Sequence, residues 1–436
     1  MRVAGEVFAD RRRRVMNRIG SNAAALFVAA PIAVRSNDVE HRYRQDNDLL
    51  YLTDFAEPEA ACLLLPGHPK EEYVLFVRPR DPERETWTGR RAGVEGALAE
   101  FGAQAVYPID KLDEKVNEYV GERDYLYYAF SRDSIFNNRV TAWMRQWQQM
   151  RARTGSGPIA LLDPGPIVHE MRVIKDDSEI GMLRRAIAIA VQGHRAAMQS
   201  ARDGVQEYEI EALLDYTFRR LGGTGPAYPS IVAGGVNATI LHYTTNDQAL
   251  RAGELLLIDA GAEFGGYCAD ITRTFPIGGR FSRAQRALYD VVLQAQRAAI
   301  NSVRPGVHVD DPHKCAVEAL VDGLLTLGIV KGDRKEIVER ELYRPFYMHR
   351  TSHWLGMDVH DVGKYKLEGH SRLLEPGMVL TVEPGLYIAA DRTDVDPGYR
   401  GIGIRIEDDV LVTADGHEVL SADAPKDPVE LEGLAA

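Results

Sequence analysis

Cysteine is scarce in this chain, and long apolar runs are missing. Its 436 residues include three cysteines, Cys62, Cys268 and Cys315. Thiols so few and so scattered do not form a disulfide framework or a zinc knuckle, and they favour a reducing cytoplasm. No apolar stretch reaches the ~18 residues that a bilayer span needs. We therefore expect a cytoplasmic protein with no membrane partner.

Basic residues are outnumbered by acidic ones. The chain has 52 lysines and arginines against 64 aspartates and glutamates, a formal net charge of −12. This balance argues against nucleic acid or an anionic membrane as a partner. A hydrophobic content of 45% is enough for more than one core.

One segment near the N-terminus imitates a signal peptide, with four arginines at 11–14 ahead of an apolar stretch at 23–33. Pro31 breaks that stretch, and no small-residue cleavage site follows. The pattern instead favours a basic amphipathic helix over 7–19 and a buried strand over 25–30.

The first ~170 residues alternate short apolar strands with helical stretches, which is typical of an α/β domain. A boundary falls between residues 173 and 174, where a Pro/Gly-rich segment leads into a long helix capped by Asp177 or Ser178. We predict strands over 61–65, 73–77 and 125–130, and helices over 112–120, 139–151, 178–201, 207–221, 283–302 and 312–327.

The second half contains an internal repeat. The segments 253–261 and 377–385 both read as glycine, an apolar strand, an acidic residue, one further residue and glycine. The acids, Asp259 and Glu383, therefore end two buried strands. Since unpaired carboxylates are rarely buried, this position indicates a function.

Asp259 and Asp270 lie eleven residues apart around a Gly-Gly pair. A hairpin turning at Phe264-Gly265 would place them directly opposite each other on one face. Two facing carboxylates repel each other and need a proton or a cation between them.

Two further segments carry candidate ligands. The segment 401–412 alternates as a strand, with Arg405, Glu407 and Asp409 on one face. His349, His353 and His360 are three of the twelve histidines and fall within twelve residues.

Four carboxylates and one imidazole would balance two divalent cations. Oxygen-rich ligation without a thiolate suits Mn²⁺, or alternatively Co²⁺ or Fe²⁺, better than a structural zinc. A water between two such ions would lose a proton near neutral pH and become a nucleophile. The sequence thus predicts a two-metal hydrolase whose ligands are Asp259, Asp270, His353, Glu383 and Glu407.

These residues match, in order and context, the metal ligands of the pita-bread metallopeptidases. The segments 353–363, 375–387 and 401–409 resemble bacterial aminopeptidase P, the Xaa-Pro aminopeptidase family. The N-terminal half resembles that family too, at 43–59 and 86–91.

The resemblance implies an N-terminal α/β domain of the creatinase/prolidase type over 1–173, serving oligomerisation and substrate access. It implies a pita-bread α+β catalytic domain over 174–436, with an internal pseudo-twofold repeat. The expected partner is a peptide with proline at position two, cleaved before that proline through a metal-bridging hydroxide. The expected assembly is a homo-oligomer, either a dimer or a tetramer.

The resemblance also implies a role for each metal ligand. Asp259 would bind one cation, His353 and Glu383 mainly the other, and Asp270 and Glu407 both. Glu383 would in addition shuttle a proton from the water.

Other residues would act on the substrate. By the same resemblance, His242 and His360 would stabilise the tetrahedral intermediate or orient the scissile carbonyl. The site that holds the proline would be lined by His349, Tyr387 and Arg405.

Two further residues are expected to affect how the substrate is bound. Trp87 would reach the active site of a neighbouring subunit. Arg350 departs from the small residue expected beside His349 and would alter preference beyond the proline.

Three alternatives remain at this point. Prolidase shares the fold and metals but cleaves only Xaa-Pro dipeptides. Methionine aminopeptidase fits less well, because it normally lacks the N-terminal domain. A metal-free pita-bread protein would be either a creatinase-like amidinohydrolase or a binding module, and a metal assay would separate it.

Overall fold

A computed structural model describes residues 5–130 and 133–434. The chain divides into two compact units, Met1–Glu170 and Met171–Ala436. Both units combine helices with strands, in agreement with the predicted fold class. None of the helices in the described part of the chain is long and apolar enough to cross a membrane.

The N-terminal unit is built on a six-stranded mixed sheet with strand order β6-β5-β4-β1-β7-β8. The strands are β1 (Ala23–Val28), β2 (Val34–Ser36), β3 (Val39–Glu40), β4 (Ala61–Leu64), β5 (Tyr73–Val77), β6 (Ala105–Pro108), β7 (Tyr125–Tyr127) and β8 (Ala160–Leu162). The helices are α1 (Gly5–Ile19), α2 (Asn47–Thr53), α3 (Pro82–Thr88), α4 (Gly93–Glu100), α5 (Leu112–Val120), α6 (Ser134–Thr154) and α7 (Gly165–Val173), with a 3₁₀ turn at Ile109–Lys111.

Local signals in this unit explain where the predicted elements begin and end. Helix α6 is longer than predicted because Asp133 caps it, accepting from two backbone amides, and because Gly155 ends it in the left-handed conformation. The strand predicted over 125–130 stops at Tyr127, since its parallel partner β8 ends at Leu162. The first strand lies two residues earlier than predicted.

The C-terminal unit carries the segments that were singled out for chemistry. Its helices are α8 (Asp177–Ser200), α9 (Glu207–Arg220), α10 (Arg283–Ser302), α11 (Asp311–Thr326), α12 (Arg334–Glu339) and α13 (Pro428–Leu434), with 3₁₀ turns at Gly235–Thr239 and Pro397–Tyr399. Its strands are β9 (Gly225–Pro226), β10 (Ile231–Gly234), β11 (Leu255–Asp259), β12 (Ala262–Phe264), β13 (Tyr267–Cys268), β14 (Thr272–Pro276), β15 (Lys366–Leu367), β16 (His370–Ser371), β17 (Val379–Val382), β18 (Gly385–Ile388), β19 (Ile402–Arg405), β20 (Asp408–Val412) and β21 (His417–Val419).

The start of α8 differs from the prediction in its cap. Asp176, rather than Asp177 or Ser178, is the N-cap residue, and its carboxylate accepts from the amides of Ser178 and Glu179. The side chain of Glu179 accepts in return from the amide of Asp176. This reciprocal capping box satisfies helix-end donors that the predicted single cap would have left open.

Two antiparallel hairpins of the same plan form the centre of this unit. In the first, β11 pairs with β14 and, nearer the turn, β12 pairs with β13. In the second, β17 pairs with β20 and β18 pairs with β19. Each ladder is interrupted where its acidic residues lie, so the segment predicted as one strand over 401–412 is two strands. This shared plan is the structural counterpart of the sequence repeat.

The register of the first hairpin corrects one prediction. Asp259 lies opposite Thr272, not opposite Asp270. The turn is at Gly265-Gly266 rather than Phe264-Gly265, because both glycines adopt the positive φ that a tight two-residue hairpin turn requires. Since the offset is two residues, the two aspartates still share one face.

Candidate metal centre

The four predicted acidic ligands come from the interruptions of the two hairpins. Asp259 ends β11 and Asp270 lies between β13 and β14, whereas Glu383 follows β17 and Glu407 precedes β20. A regular ladder would turn alternate side chains to opposite faces, so each break lets an acid turn towards the other hairpin.

Contacts between the hairpins hold these breaks together. The backbone amide of Glu407 donates to the carbonyl of Thr272 at 3.1 Å. The hydroxyl of Thr272 donates to Oε2 of Glu407 at 2.6 Å. Thr272 therefore anchors the second hairpin to the first through both its backbone and its side chain.

A single cavity of about 690 Å³ gathers most of the predicted site. Its walls include all five predicted ligands together with other predicted residues, namely Asp259, Asp270, His353, Glu383, Glu407, His242, His349, His360 and Arg405. Tyr387 is buried and reaches this set by hydrogen bonds. Trp87 lies in the N-terminal unit, where 85% of its surface is exposed.

His353 presents one ring nitrogen to the carboxylates. Its Nδ1 donates to the carbonyl of Trp354 at 3.0 Å, which fixes the tautomer. Nε2 then lies 3.4 Å from Oδ2 of Asp270 and 3.5 Å from Oε1 of Glu383. Such separations suit atoms that share one cation at about 2 Å each. Ligand atoms of Asp270, His353 and Glu407 all lie within 4.8 Å of one another.

Burial and mutual repulsion disfavour the simultaneous ionisation of the carboxylates in this cluster. Burial, reinforced by neighbouring carboxylates, raises the pKa of Glu383 to about 7 and raises the pKa of Asp270 and Glu407 as well. Burial opposes the charged form of His353, but the hydrogen bond to Asp270 and the charge of Glu383 raise its pKa to about 9. Because burial disfavours several negative charges so close together, the site is suited to divalent cations.

The donor types agree with that interpretation. Four carboxylates and one imidazole are available, and the thiol of Cys268 instead faces the carbonyl of Met357 at 3.4 Å. Oxygen-rich sets of this kind favour hard or intermediate divalent cations. The residues present therefore fit a pair of such ions.

Tyr228 belongs to the centre and was missed by the sequence analysis. Its hydroxyl lies 2.7 Å from Oδ1 of Asp259 and 2.5 Å from Oδ1 of Asp270. Burial and the nearby carboxylates raise its pKa well above the usual value, so it remains a donor. Tyr228 lies in an irregular segment before β10, and no spacing or motif marks it.

A chain of hydrogen bonds orders the residues predicted to hold the proline. Arg405 donates from Nη1 to the Tyr387 hydroxyl at 2.9 Å, and that hydroxyl lies 2.9 Å from Nε2 of His349. Nδ1 of His349 donates to the carbonyl of Arg350 at 2.8 Å. Burial and the charge of Arg405 lower the pKa of His349 to about 3. The imidazole is therefore neutral.

Arg405 makes two further hydrogen bonds inside the protein. Nη2 donates to Oδ2 of Asp259 at 2.6 Å, and Nε donates to the hydroxyl of Thr272 at 3.1 Å. Arg405 is thus held in place within the centre through all three of its nitrogen atoms.

The remaining two histidines face the same cavity. The ring of His360 packs edge-on against His353, with centroids 4.5 Å apart. Burial and the charge of His353 lower the pKa of His360. His242 follows the 3₁₀ turn at Gly235–Thr239 and lines the cavity as well.

Comparison with known families gives two matches. Residues 181–414 match metallopeptidase family M24, and residues 8–127 match the N-terminal domain of aminopeptidase P. The Xaa-Pro aminopeptidase of Escherichia coli is 42% identical over 433 residues, covering 99% of this chain and 98% of that protein. The enzyme of the same name from Haemophilus influenzae is 42% identical over 429 residues, covering 98% and 97%.

Solved structures of similar proteins agree. Pseudomonas aeruginosa aminopeptidase PepP is 46% identical, with a TM-score of 0.97, covering 100% of this chain and 98% of that one. Zinc-substituted E. coli aminopeptidase P in complex with product is 42% identical, with a TM-score of 0.96, covering 100% and 99%.

Proposed function

The chain belongs to metallopeptidase family M24 and is an Xaa-Pro aminopeptidase, and we propose that it works with two divalent cations. The proposed ligands are Asp259, Asp270, His353, Glu383 and Glu407. The observation that carries this proposal is that two interrupted hairpins bring the four acidic ligands into one cavity, which His353 also lines. When bound, the two cations would lower the pKa of a water and polarise the scissile carbonyl.

Glu383 is the proposed proton carrier. Its carboxylate lines the cavity among the proposed metal ligands, where it would accept a proton from the attacking water and return it to the departing proline nitrogen. Neighbouring carboxylates would attract the free N-terminal ammonium of the peptide, which confines cleavage to the first residue. His242 and His360 are proposed to donate to the oxygen that gains negative charge in the transition state.

The proline is proposed to lie against His349, with Tyr387 and Arg405 behind it. Proline offers no N–H to an acceptor, and its ring fixes the backbone, so a suitable wall is uncharged and rigid. The neutral imidazole of His349, held at both nitrogens, has these properties. Prolidase, which must bind the carboxylate of the proline, is disfavoured because the two relatives of 42% identity are named Xaa-Pro aminopeptidases.

Several further features belong to the same proposal. Mn²⁺ is the proposed metal, on the chemistry of the ligand atoms. The cytoplasm is the proposed location. A homo-oligomer, either a dimer or a tetramer, is the proposed assembly, with residues 1–173 serving oligomerisation and substrate access. Trp87 is proposed to reach a neighbouring subunit, which requires its indole to be exposed, as it is.

Metal removal and replacement test the cofactor. A chelator should abolish turnover of an Xaa-Pro peptide while the far-ultraviolet circular dichroism spectrum stays nearly unchanged. Returning Mn²⁺, Co²⁺, Zn²⁺ or Mg²⁺ separately should restore activity best with Mn²⁺. Full activity in a protein shown to be metal-free would contradict the proposal.

A further inference from the structure

Two cationic side chains line the cavity without any part in the proposed chemistry. Arg350 and Lys366 line the same cavity as the metal cluster, and so do Asp310 and Tyr365. The four carboxylates of the metal cluster would be balanced by the two proposed divalent cations, so these two side chains add positive charge to the cavity.

Arg350 is held by an ion pair with Asp310 but remains largely exposed to solvent. One guanidinium nitrogen, Nη2, donates to Oδ1 of Asp310, while 64% of the Arg350 side chain remains exposed. Its charge still acts on the surroundings. Burial is the main reason why the pKa of His313 is lowered to about 4. The positive charge of Arg350 adds to this shift, and its effect is larger than the opposing effect of Asp310.

The backbone of Arg350 is tied to the proposed proline site. Its carbonyl accepts from Nδ1 of His349 at 2.8 Å. The guanidinium is therefore carried by the residue next to the one that would contact the proline. A side chain placed there is suited to contact the peptide residues on the C-terminal side of the proline.

Lys366 supplies the second positive charge. It begins the short strand β15 (Lys366–Leu367) and is exposed. It forms no ion pair with any residue in the described ranges, 5–130 and 133–434. A lysine that lines a cavity without such an ion pair can attract a ligand anion without first breaking an internal contact.

A short peptide carries charges that complement this arrangement. Its N-terminal ammonium would lie at the metal cluster, and a carboxylate further along would be attracted by Arg350 and Lys366. We propose that Arg350 and Lys366 form a subsite for a carboxylate on the C-terminal side of the substrate proline, an inference that rests on the proposed function. The carboxylate is the C-terminus of a tripeptide or an acidic side chain in a longer peptide. A cavity of about 690 Å³ accommodates a small peptide of this kind.

The test compares substrates that differ only in this charge. For the C-terminal source, kcat/KM is measured for Ala-Pro-Ala as the free acid and as the amide. For the side-chain source, amidated Ala-Pro-Glu-Ala is compared with amidated Ala-Pro-Gln-Ala. In at least one pair, the charged peptide should be favoured by on the order of 3–10-fold, as expected for a partly exposed ion pair. The preference should shrink as ionic strength rises.

Variants of the Mn²⁺-loaded full chain assign the effect to residues. The double variant Arg350→Gln and Lys366→Gln should lose the preference, so that the charged and uncharged peptides of each pair are cleaved equally. Lys364→Gln is the matched control, because Lys364 carries the same charge two residues earlier but does not line the cavity. It should retain the preference.

Each other outcome has a definite meaning. No preference in either pair would overturn the subsite, and a preference that survives the double substitution would overturn its assignment. If the double variant also impaired the dipeptide Ala-Pro, the carboxylate would be on the proline itself, against this proposal. If no Xaa-Pro peptide were cleaved at all, the proposed function would fail instead.

Discussion

Residues of the metal centre divide by what they would touch. Asp270 lies near His353 and Tyr228 at the centre of the ligand cluster. His360 lies at its edge and packs its ring against His353. Removing one or the other should therefore have different consequences for metal content and for rate.

Asp270→Asn is predicted to lower metal content and activity together. The change removes a negative charge proposed to be shared by both cations, while size and shape stay the same. Metal content by atomic emission and kcat/KM for an Xaa-Pro peptide should fall in parallel. A variant with full metal content but no activity would contradict the assignment as a ligand.

His360→Ala is predicted to keep its metals and to lose ~10²–10³ in rate, the size expected for one group that stabilises a developing oxyanion. The same two measurements apply. A variant that loses its metals would show that His360 is a ligand, and its proposed role would be wrong.

Asp408 illustrates how the residue after a proposed ligand supports it. Asp408 follows Glu407 and is completely buried, with Nη2 of Arg273 at 2.7 Å and Lys426 also in contact. Arg273 donates in addition to the backbone carbonyl of Glu407. Burial alone would raise the pKa of Asp408, but the charges of Arg273 and Lys426 outweigh it and hold the pKa at about 2.

This arrangement predicts a pH-dependent stability difference between the unmodified protein and Asp408→Asn. Because the folded-state pKa lies below the ordinary value of 3.8, the charge stabilises the fold above about pH 4. The gain is lost as pH falls towards 2. Removing one member of such a buried cluster costs about 3–5 kcal/mol near neutral pH. The difference between the two melting temperatures, measured from pH 7 to pH 2, should therefore shrink below pH 4.

The exposed Asp415→Asn serves as the control and should melt like the unmodified protein at every pH. The metal ligands titrate in all three proteins alike and cancel in the differences. A gap between Asp408→Asn and the unmodified protein that stays constant below pH 4 would contradict the account.

At the scale of elements, the first hairpin depends on a close backbone approach. A Cβ atom added at Gly261 would lie 1.7 Å from the carbonyl oxygen of Ala269, just before Asp270. Any side chain at this position must therefore push the two strands apart and displace Asp270.

Gly261→Ala is accordingly predicted to lower the free energy of unfolding by about 1–3 kcal/mol and to reduce metal content. Gly181→Ala is the control, because a Cβ atom at this position in α8 meets nothing within 4 Å. The control should gain about 0.5–1 kcal/mol from helix propensity. Denaturant unfolding and metal analysis measure both. A Gly261→Ala protein as stable as the control would contradict the packing argument.

The hairpins also show which features of the fold can be predicted from the sequence alone. Apolar periodicity placed α5 and α10 at their observed bounds, because those helices have clear amphipathic faces. The repeat around Asp259 and Glu383 pointed to both hairpins. The register of the first hairpin was harder to predict, because it depends on which two residues form the turn with positive φ. Tyr228 could not be found at all, since its contacts exist only after both aspartates are placed.

At the scale of the whole molecule, one acidic cluster and one neutral, rigid wall share a cavity in the C-terminal unit. The cluster accounts for hydrolysis at the first residue, since it would hold both the cations and the free ammonium. The proposed wall formed by His349 would account for proline at position two. Selectivity for Xaa-Pro bonds in peptides longer than two residues is therefore the central claim.

The most direct test is kcat/KM for Ala-Pro-Ala, Ala-Pro and Ala-Ala-Ala with the Mn²⁺-loaded full chain. The account predicts that Ala-Pro-Ala is cleaved at least as well as Ala-Pro. It also predicts that replacing the proline by alanine costs at least ~10-fold, about 1.4 kcal/mol of transition-state binding. Turnover confined to the dipeptide would identify a prolidase, and equal turnover of Ala-Pro-Ala and Ala-Ala-Ala would contradict proline selectivity altogether.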